Sequence, residues 1–200
     1  MGKLFVLAMV KPDPSGPDGC CPDSLSEAET CGKMARSYHD KPFTAVIHAG
    51  GLQALRTSSV FLHGHGTSSP IYVNPTAPQV VIDGVLTALG KTDSEPASVD
   101  AWLKGEILRQ LQCLWHKEDT AVLVVLPPDL TAGIMAQLLA LNSNGGLHCP
   151  PLGPCDLLVA HLKRSDDANV VGCIEQLLTV GSLRALQEAA VAAAPAAAVA

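Results

Sequence analysis

Leu4-Phe5-Val6-Leu7-Ala8-Met9-Val10, directly after Lys3, is an unbroken apolar run, and Ala121-Val122-Leu123-Val124-Val125-Leu126, directly after Thr120, repeats the pattern far along the chain. Neither alternates polar with apolar residues. Short runs of this kind, rich in Val and Leu and bounded by turn residues, read as strands buried on both faces of a sheet. The first stops at a Pro/Gly/Asp-rich stretch over 11–23, the second at Pro127-Pro128. Strands covered on both faces need helices to cover them, so the segments between these runs decide the fold class.

Working outward, Ser24 and Glu27 have capping-box spacing, and Leu25, Ala28, Cys31, Ala35 and Tyr38 recur at helical intervals, which predicts a helix over 24–39. Residues 43–48 form a second short strand. Gly50-Gly51 follow, and Leu52, Leu55, Ser59 and Leu62 return to helical spacing. A Gly/Ser/Thr/Pro-rich loop is expected over 63–78, then a short strand at 79–82. Leu103, Ile107, Leu111 and Leu114 predict an amphipathic helix over 99–116 that carries Trp102 and Trp115, both read as core or interface anchors. Residues 130–141 are again helical, with Asp129 as a candidate N-cap. Residues 155–162 and 168–174, joined by the charged turn 163–167, read as a β-hairpin. A last helix at 182–194 runs into Ala/Pro repeats. Strands alternating with helices give an α/β class: a three-layer α/β/α sandwich with a mostly parallel sheet and an antiparallel edge, as one domain over 1–188 and an Ala-rich tail over 189–200.

Two hundred residues suffice for one sizeable core. Apolar residues make up 48% and charged residues 16%, against about 25% charged in an average soluble domain, so global disorder is not expected. The net charge of −6 would repel a phosphate backbone, which argues against nucleic acid as a partner. The longest uncharged apolar runs fall short of the roughly 20 residues that cross a bilayer, so no membrane span is expected. Residues 1–10 lack the long apolar core and cleavage site of a secretory signal, and Val6 stands where a myristoylation signal after Gly2 wants Ser or Thr. Seven cysteines without framework spacing suit reduced thiols, and the expected location is cytoplasmic.

The order of elements resembles the histidine phosphatase superfamily, which includes the cofactor-dependent phosphoglycerate mutases and the small phosphohistidine phosphatases. The resemblance covers about residues 3 to 175. Members open with an apolar strand running into Arg-His-Gly; here Lys3-Leu4-Phe5-Val6-Leu7 runs into Ala8-Met9-Val10. Their Leu-Thr-Glu helix start is matched by Leu25-Ser26-Glu27. Their Phe-Asp-x-Val-x-Ser-Ser-Pro-Leu-x-Arg-Ala-x-Gln-Thr-Ala segment aligns without a gap with residues 43–58, keeping Phe43, Val46, Ala54 and Thr57. Their Val-Leu-Val-Val-Ser-His-Gly-Gly corresponds to Val122-Leu123-Val124-Val125, continued here as Leu126-Pro127-Pro128-Asp129.

The resemblance implies a phosphatase-like fold without the chemistry. Family catalysis uses an imidazole nucleophile, a second imidazole, and arginines that neutralise phosphoryl oxygens. By register Met9 stands at the nucleophile, Ala8 and Gln53 at two arginines, Pro127 at the second histidine and Ala88 near the acidic proton donor. The expected function is that of a pseudoenzyme: a structural or protein-interaction module, with protein partners inside a larger assembly such as a cytoskeletal or ciliary complex. No cofactor or metal is expected. Two alternatives stand beside it. One is a hydrolase rebuilt around His48, His63 and His65, and the other a small-molecule sensor using an apolar cleft.

The remaining polar candidates read blandly. His63-Gly64-His65 lacks a third ligand at fixed spacing and reads as solvated loop histidines. His148-Cys149 and Cys155 miss the usual zinc spacing. Cys20 and Cys21 read as passive thiols on the proline-rich loop. Arg56, one helical turn beyond Gln53, is a basic candidate for reaching the cleft, and the helix after Gly50-Gly51 still offers backbone N–H groups to an anion.

Overall fold

A computed structural model of the chain describes residues 2–67, 79–81, 121–128, 131, 152–164 and 170–179. Among these, six strands form one sheet: β1 (Gly2–Ala8), β2 (Ala45–His48), β3 (Gln79–Val81), β4 (Ala121–Leu126), β5 (Leu157–Arg164) and β6 (Val170–Leu178), in the order β3-β2-β4-β1-β5-β6. β1 pairs in parallel with β4, as β4 does with β2 and β2 with β3. β5 runs antiparallel to β1, and β6 antiparallel to β5 with a bulge between Val159 and Ala160. The sheet is therefore mostly parallel with an antiparallel edge, as the strand and hairpin signals predict.

The apolar runs are where they are because the middle of the sheet has no wet face. β1 lies between β4 and β5, and Leu4, Phe5, Val6 and Leu7 are fully buried, as is β4 from Leu123 to Leu126. Each such side chain contributes about 1.5–3 kcal/mol relative to exposure, which a half-exposed alternating strand would forgo.

Helix α1 (Pro22–Ala35) and helix α2 (Gly51–His65) follow β1 and β2 and pack on each other. α1 starts two residues before the predicted boundary, because Pro22 occupies its first turn, where a missing N–H costs nothing. Ser24 is therefore not the cap; it is buried inside the helix, and its Oγ accepts the Lys11 N–H at 2.9 Å. The helix ends at Ala35 rather than 39, with Ser37 and Tyr38 N–H groups turned back onto Met34 and Ala35 carbonyls. α2 runs through His63-Gly64-His65, which were expected in a loop. It stops at Gly66, whose φ of 82° allows Gly66 and Thr67 N–H groups to bond the His63 and Leu62 carbonyls.

The helices approach most closely through glycine. A Cβ on Gly32 would stand 2.0 Å from the Phe61 carbonyl oxygen, and one on Gly64 would stand 2.0 Å from that of Glu29. The expected helices at 99–116, with Trp102 and Trp115, and at 182–194, the tail 189–200, and all but Thr131 of the helix at 130–141 lie outside the described residues, as do Ala88, Asp129, His148 and Cys149. No described helix is long and apolar enough to cross a membrane.

Candidate functional site

In sheets of this kind ligands collect at the carboxyl ends of strands, where successive connections leave in opposite directions. β1 leads across β4 to β2, whereas β4 leads across β1 to β5, so the switch lies between β1 and β4. Emerging there are Ala8-Met9-Val10 and Leu126-Pro127-Pro128, with His48-Ala49-Gly50 from β2 and the first turns of α2 alongside. The structure thus brings Ala8, Met9, Gln53 and Pro127 to one end of the sheet.

The backbone at this end is closed on itself. The Met9 N–H donates to the Leu126 carbonyl at 2.8 Å, Ala49 to Val125 at 3.2 Å, Ala8 to Asp156 at 3.0 Å and Cys155 to Ala8 at 3.1 Å. Side chains of α2 finish the closure: Thr57 Oγ1 accepts the Val10 N–H at 3.2 Å, and the Gln53 amide donates to the Val10 carbonyl. Ala8 and Met9 are buried, and Gln53 and Pro127 half-buried. Sequence reasoning found Gln53 and Thr57 by alignment but missed Asp156 and its loop, since that tie joins segments with no motif in either.

His48 is buried in this region, and its Nδ1 accepts the Gly50 N–H at 3.2 Å. One of the amides expected to attract an anion is therefore already used. Burial pushes the His48 pKa below the usual histidine range, so the ring is neutral at pH 7. His63 and His65 sit at the opposite end of α2, a 15-residue helix, hence roughly 20 Å away. The three histidines therefore do not converge on one site. Nor are His63 and His65 solvated loop residues, for His63 is half-buried and His65 is 1% exposed.

Arg56 does not reach into the strand ends. Its Nε meets Asp18 Oδ2 at 2.7 Å. Asp18 lies on a 3-10 turn, Pro17–Gly19, at a φ of 56°, a left-handed conformation costing a residue with a Cβ about 1–2 kcal/mol. Asp18→Gly and Asp18→Ala both lose the ion pair, but only alanine retains the strain. In urea unfolding the glycine variant is expected to be the more stable by about 1 kcal/mol; equal midpoints would contradict the left-handed turn.

One described cleft, about 420 Å³, opens beside the end of β1, between the start of α1 and the loop before β5. Its lining carries Asp23, Glu27 and Asp156 together with the Lys11 ammonium, Ser24 and Cys21. The apolar residues Ala8, Met9 and Val10 are packed away rather than lining it. Such a lining disfavours anions. Cys20, Cys21, Cys31 and Cys155 are free thiols. Burial pushes the Cys20 thiol up despite the nearby Arg56 guanidinium, and pushes that of Cys155 up to about 12, so neither is a thiolate at neutral pH.

No family model and no curated protein matches the chain in sequence. Solved structures do match in shape. YhfR from Bacillus stearothermophilus is 11% identical, with a TM-score of 0.56, covering 90% of this chain and 99% of its own. A mycobacterial glucosyl-3-phosphoglycerate phosphatase in complex with VO3 is 12% identical, with a TM-score of 0.57 and coverage of 88% and 99%. A phosphoserine phosphatase from Entamoeba histolytica in complex with 3-phosphoglyceric acid is 12% identical, with a TM-score of 0.57 and coverage of 92% and 100%. The chain has the histidine phosphatase fold. Those structures cover 88–92% of this chain, and the histidine phosphatase fold accounts for the sheet order, the antiparallel edge and the position of the switch point. Within this histidine phosphatase fold the described strand ends carry neutral groups: an amide, a thioether, a methyl and a proline ring.

Proposed function

We propose that this chain is a catalytically inactive member of the histidine phosphatase superfamily, kept as a structural or protein-interaction module within a larger assembly. The observation that carries the reading is the closure of the strand ends: Met9 and Ala8 buried, and Gln53 and Thr57 spent on Val10. The register of the sequence resemblance supports it, since Met9, Ala8, Gln53 and Pro127 stand where the family needs two imidazoles and two guanidiniums, with Ala88 near the acid. Losing one preorganised charge-stabilising donor costs about 3–4 kcal/mol, or 100- to 1000-fold in rate. Here the nucleophile is replaced as well. A phosphoryl dianion would also have to leave water without a cation to meet it.

Two measurements test the inactive half of the reading. The purified chain is expected to hydrolyse p-nitrophenyl phosphate no faster than buffer, and vanadate, which the mycobacterial phosphatase binds, is expected to leave its melting temperature unchanged. A ligand at 100 times its dissociation constant adds about 2.7 kcal/mol, so real binding would show clearly. Turnover, or a vanadate-dependent rise, would overturn it. The interaction half predicts that native affinity purification with crosslinking recovers partner proteins at fixed stoichiometry; recovery of the chain alone at monomer mass would sink it.

A further inference from the structure

Far from the strand ends, two imidazoles lie stacked where the C-terminal ends of α1 and α2 meet. The ring centroids of His39 and His65 are 6.3 Å apart, their planes inclined by 28°. His65 closes α2; His39 belongs to the connection from α1 to β2. Phe43 and Phe61 flank His65 at 4.9 and 6.4 Å, and Phe43 and Phe5 flank His39 at 5.7 and 6.2 Å. The two residues are also tied directly, as His65 Nε2 meets the His39 carbonyl oxygen at 2.6 Å. A carbonyl only accepts, so Nε2 carries the hydrogen and Nδ1 of the neutral ring keeps a bare lone pair. That Nδ1 and the Nε2 of His39 are both buried without a hydrogen-bond partner among the described residues.

An idle lone pair among phenyl rings is tolerable, but a proton on it is not. Protonation creates an N–H with no acceptor and a charge cut off from water. The surroundings add to the cost. Among the described residues, Lys3 on β1 and Arg36 and Lys41 on the connection are cations, against the anion Asp40. Elsewhere on the two helices Lys33 is paired with Glu29 and Arg56 with Asp18, and His63 is the other titratable group on α2. Charging both stacked rings would also set two like charges face to face.

We propose that His39 and His65 form a proton-operated latch, closed while both rings are neutral and opened by acid, which frees the connection 36–44 from the end of α2. Burial lowers both pKa values, outweighing the hydrogen bonds that favour the charged forms. The folded state therefore binds fewer protons than the open one. The latch contributes fully above the ordinary histidine pKa of about 6.5 and weakens as pH falls below it toward the depressed values. Each proton taken up on opening changes the closed-to-open ratio about tenfold per pH unit.

Hydrogen exchange of the full chain at about pH 7.5 and about pH 5.5, corrected for intrinsic rates, reads this directly. Acid is expected to lower protection over 36–44 and 61–67 by about tenfold or more beyond any change in β1 and β4. His65→Phe, which fills the enclosure without titrating, and His39→Gln are each expected to remove that excess. Uniform loss of protection in the natural chain, or an undiminished local loss in the variants, would overturn the latch. Should His65→Phe fail to fold, His39→Gln decides alone.

Discussion

Gly64→Ala is expected to unfold the chain or bring it to the edge of unfolding at room temperature, and Gly32→Ala to act in the same direction. Helix propensity alone predicts the opposite, since alanine is favoured over glycine by about 1 kcal/mol inside a helix. The contact decides the sign. The new methyl on residue 64 would lie 2.0 Å from the Glu29 carbonyl oxygen, and that on residue 32 would lie 2.0 Å from the Phe61 oxygen and 2.9 Å from the His65 nitrogen. These are backbone atoms of a packed helix, which cannot swing aside as a side chain would. The helices must part, uncovering Ala28, Phe61 and Leu62, all buried now. Overpacking commonly costs about 1–3 kcal/mol, and main chain against methyl belongs at the upper end or beyond it, a large part of a total stability of about 5–15 kcal/mol. The pair should be less than additive, because the first substitution already separates the helices. Urea unfolding followed by circular dichroism checks this; a midpoint that is unchanged or higher in either single variant would refute the close approach.

Phe5→Ala is expected to cost about 3–5 kcal/mol, the usual range for emptying a fully buried phenyl site. Phe5 is fully buried in the central strand and meets the Phe43 ring edge-on at 5.1 Å. Its hydrogen-bonded neighbours β4 and β5 hold the backbone on both sides, so the space cannot collapse easily. Leu52, 53% exposed at the start of α2, provides the contrast: Leu52→Ala should stay within about 0.5 kcal/mol. A Phe5→Ala variant as stable as Leu52→Ala would mean that β1 is not at the centre of the sheet.

The reading of these strands from sequence worked because burial on both faces leaves a mark that needs no partner: residues 4–10 and 121–126 are apolar whichever strands lie beside them. Boundaries were less legible. Gly64 reads from sequence as part of a loop, yet it is the point inside α2 where another helix comes too near for a side chain, and the true stop is Gly66 two residues on, where φ turns positive. Ser24 had the composition of a cap and serves as an anchor for Lys11 instead. At the strand ends, the identities of Ala8, Met9, Gln53 and Pro127 were readable through register, but their arrangement was not. The bonds from Thr57 and Gln53 to Val10 span 47 and 43 residues, and no local pattern announces a partner that distant. The latch residues are illegible for the same reason: no local pattern joins His39 to His65, 26 residues on.

Position 53 carries a consequence for anyone trying to engineer reactivity into this fold. The same side chain that would have to hold an incoming anion is the strut that fixes the carbonyl of Val10, and its neighbour one turn on secures the amide of that residue. Installing a guanidinium there trades a fastened entrance loop for a charged pocket, so binding an anion at this position calls for a second support to be designed alongside it.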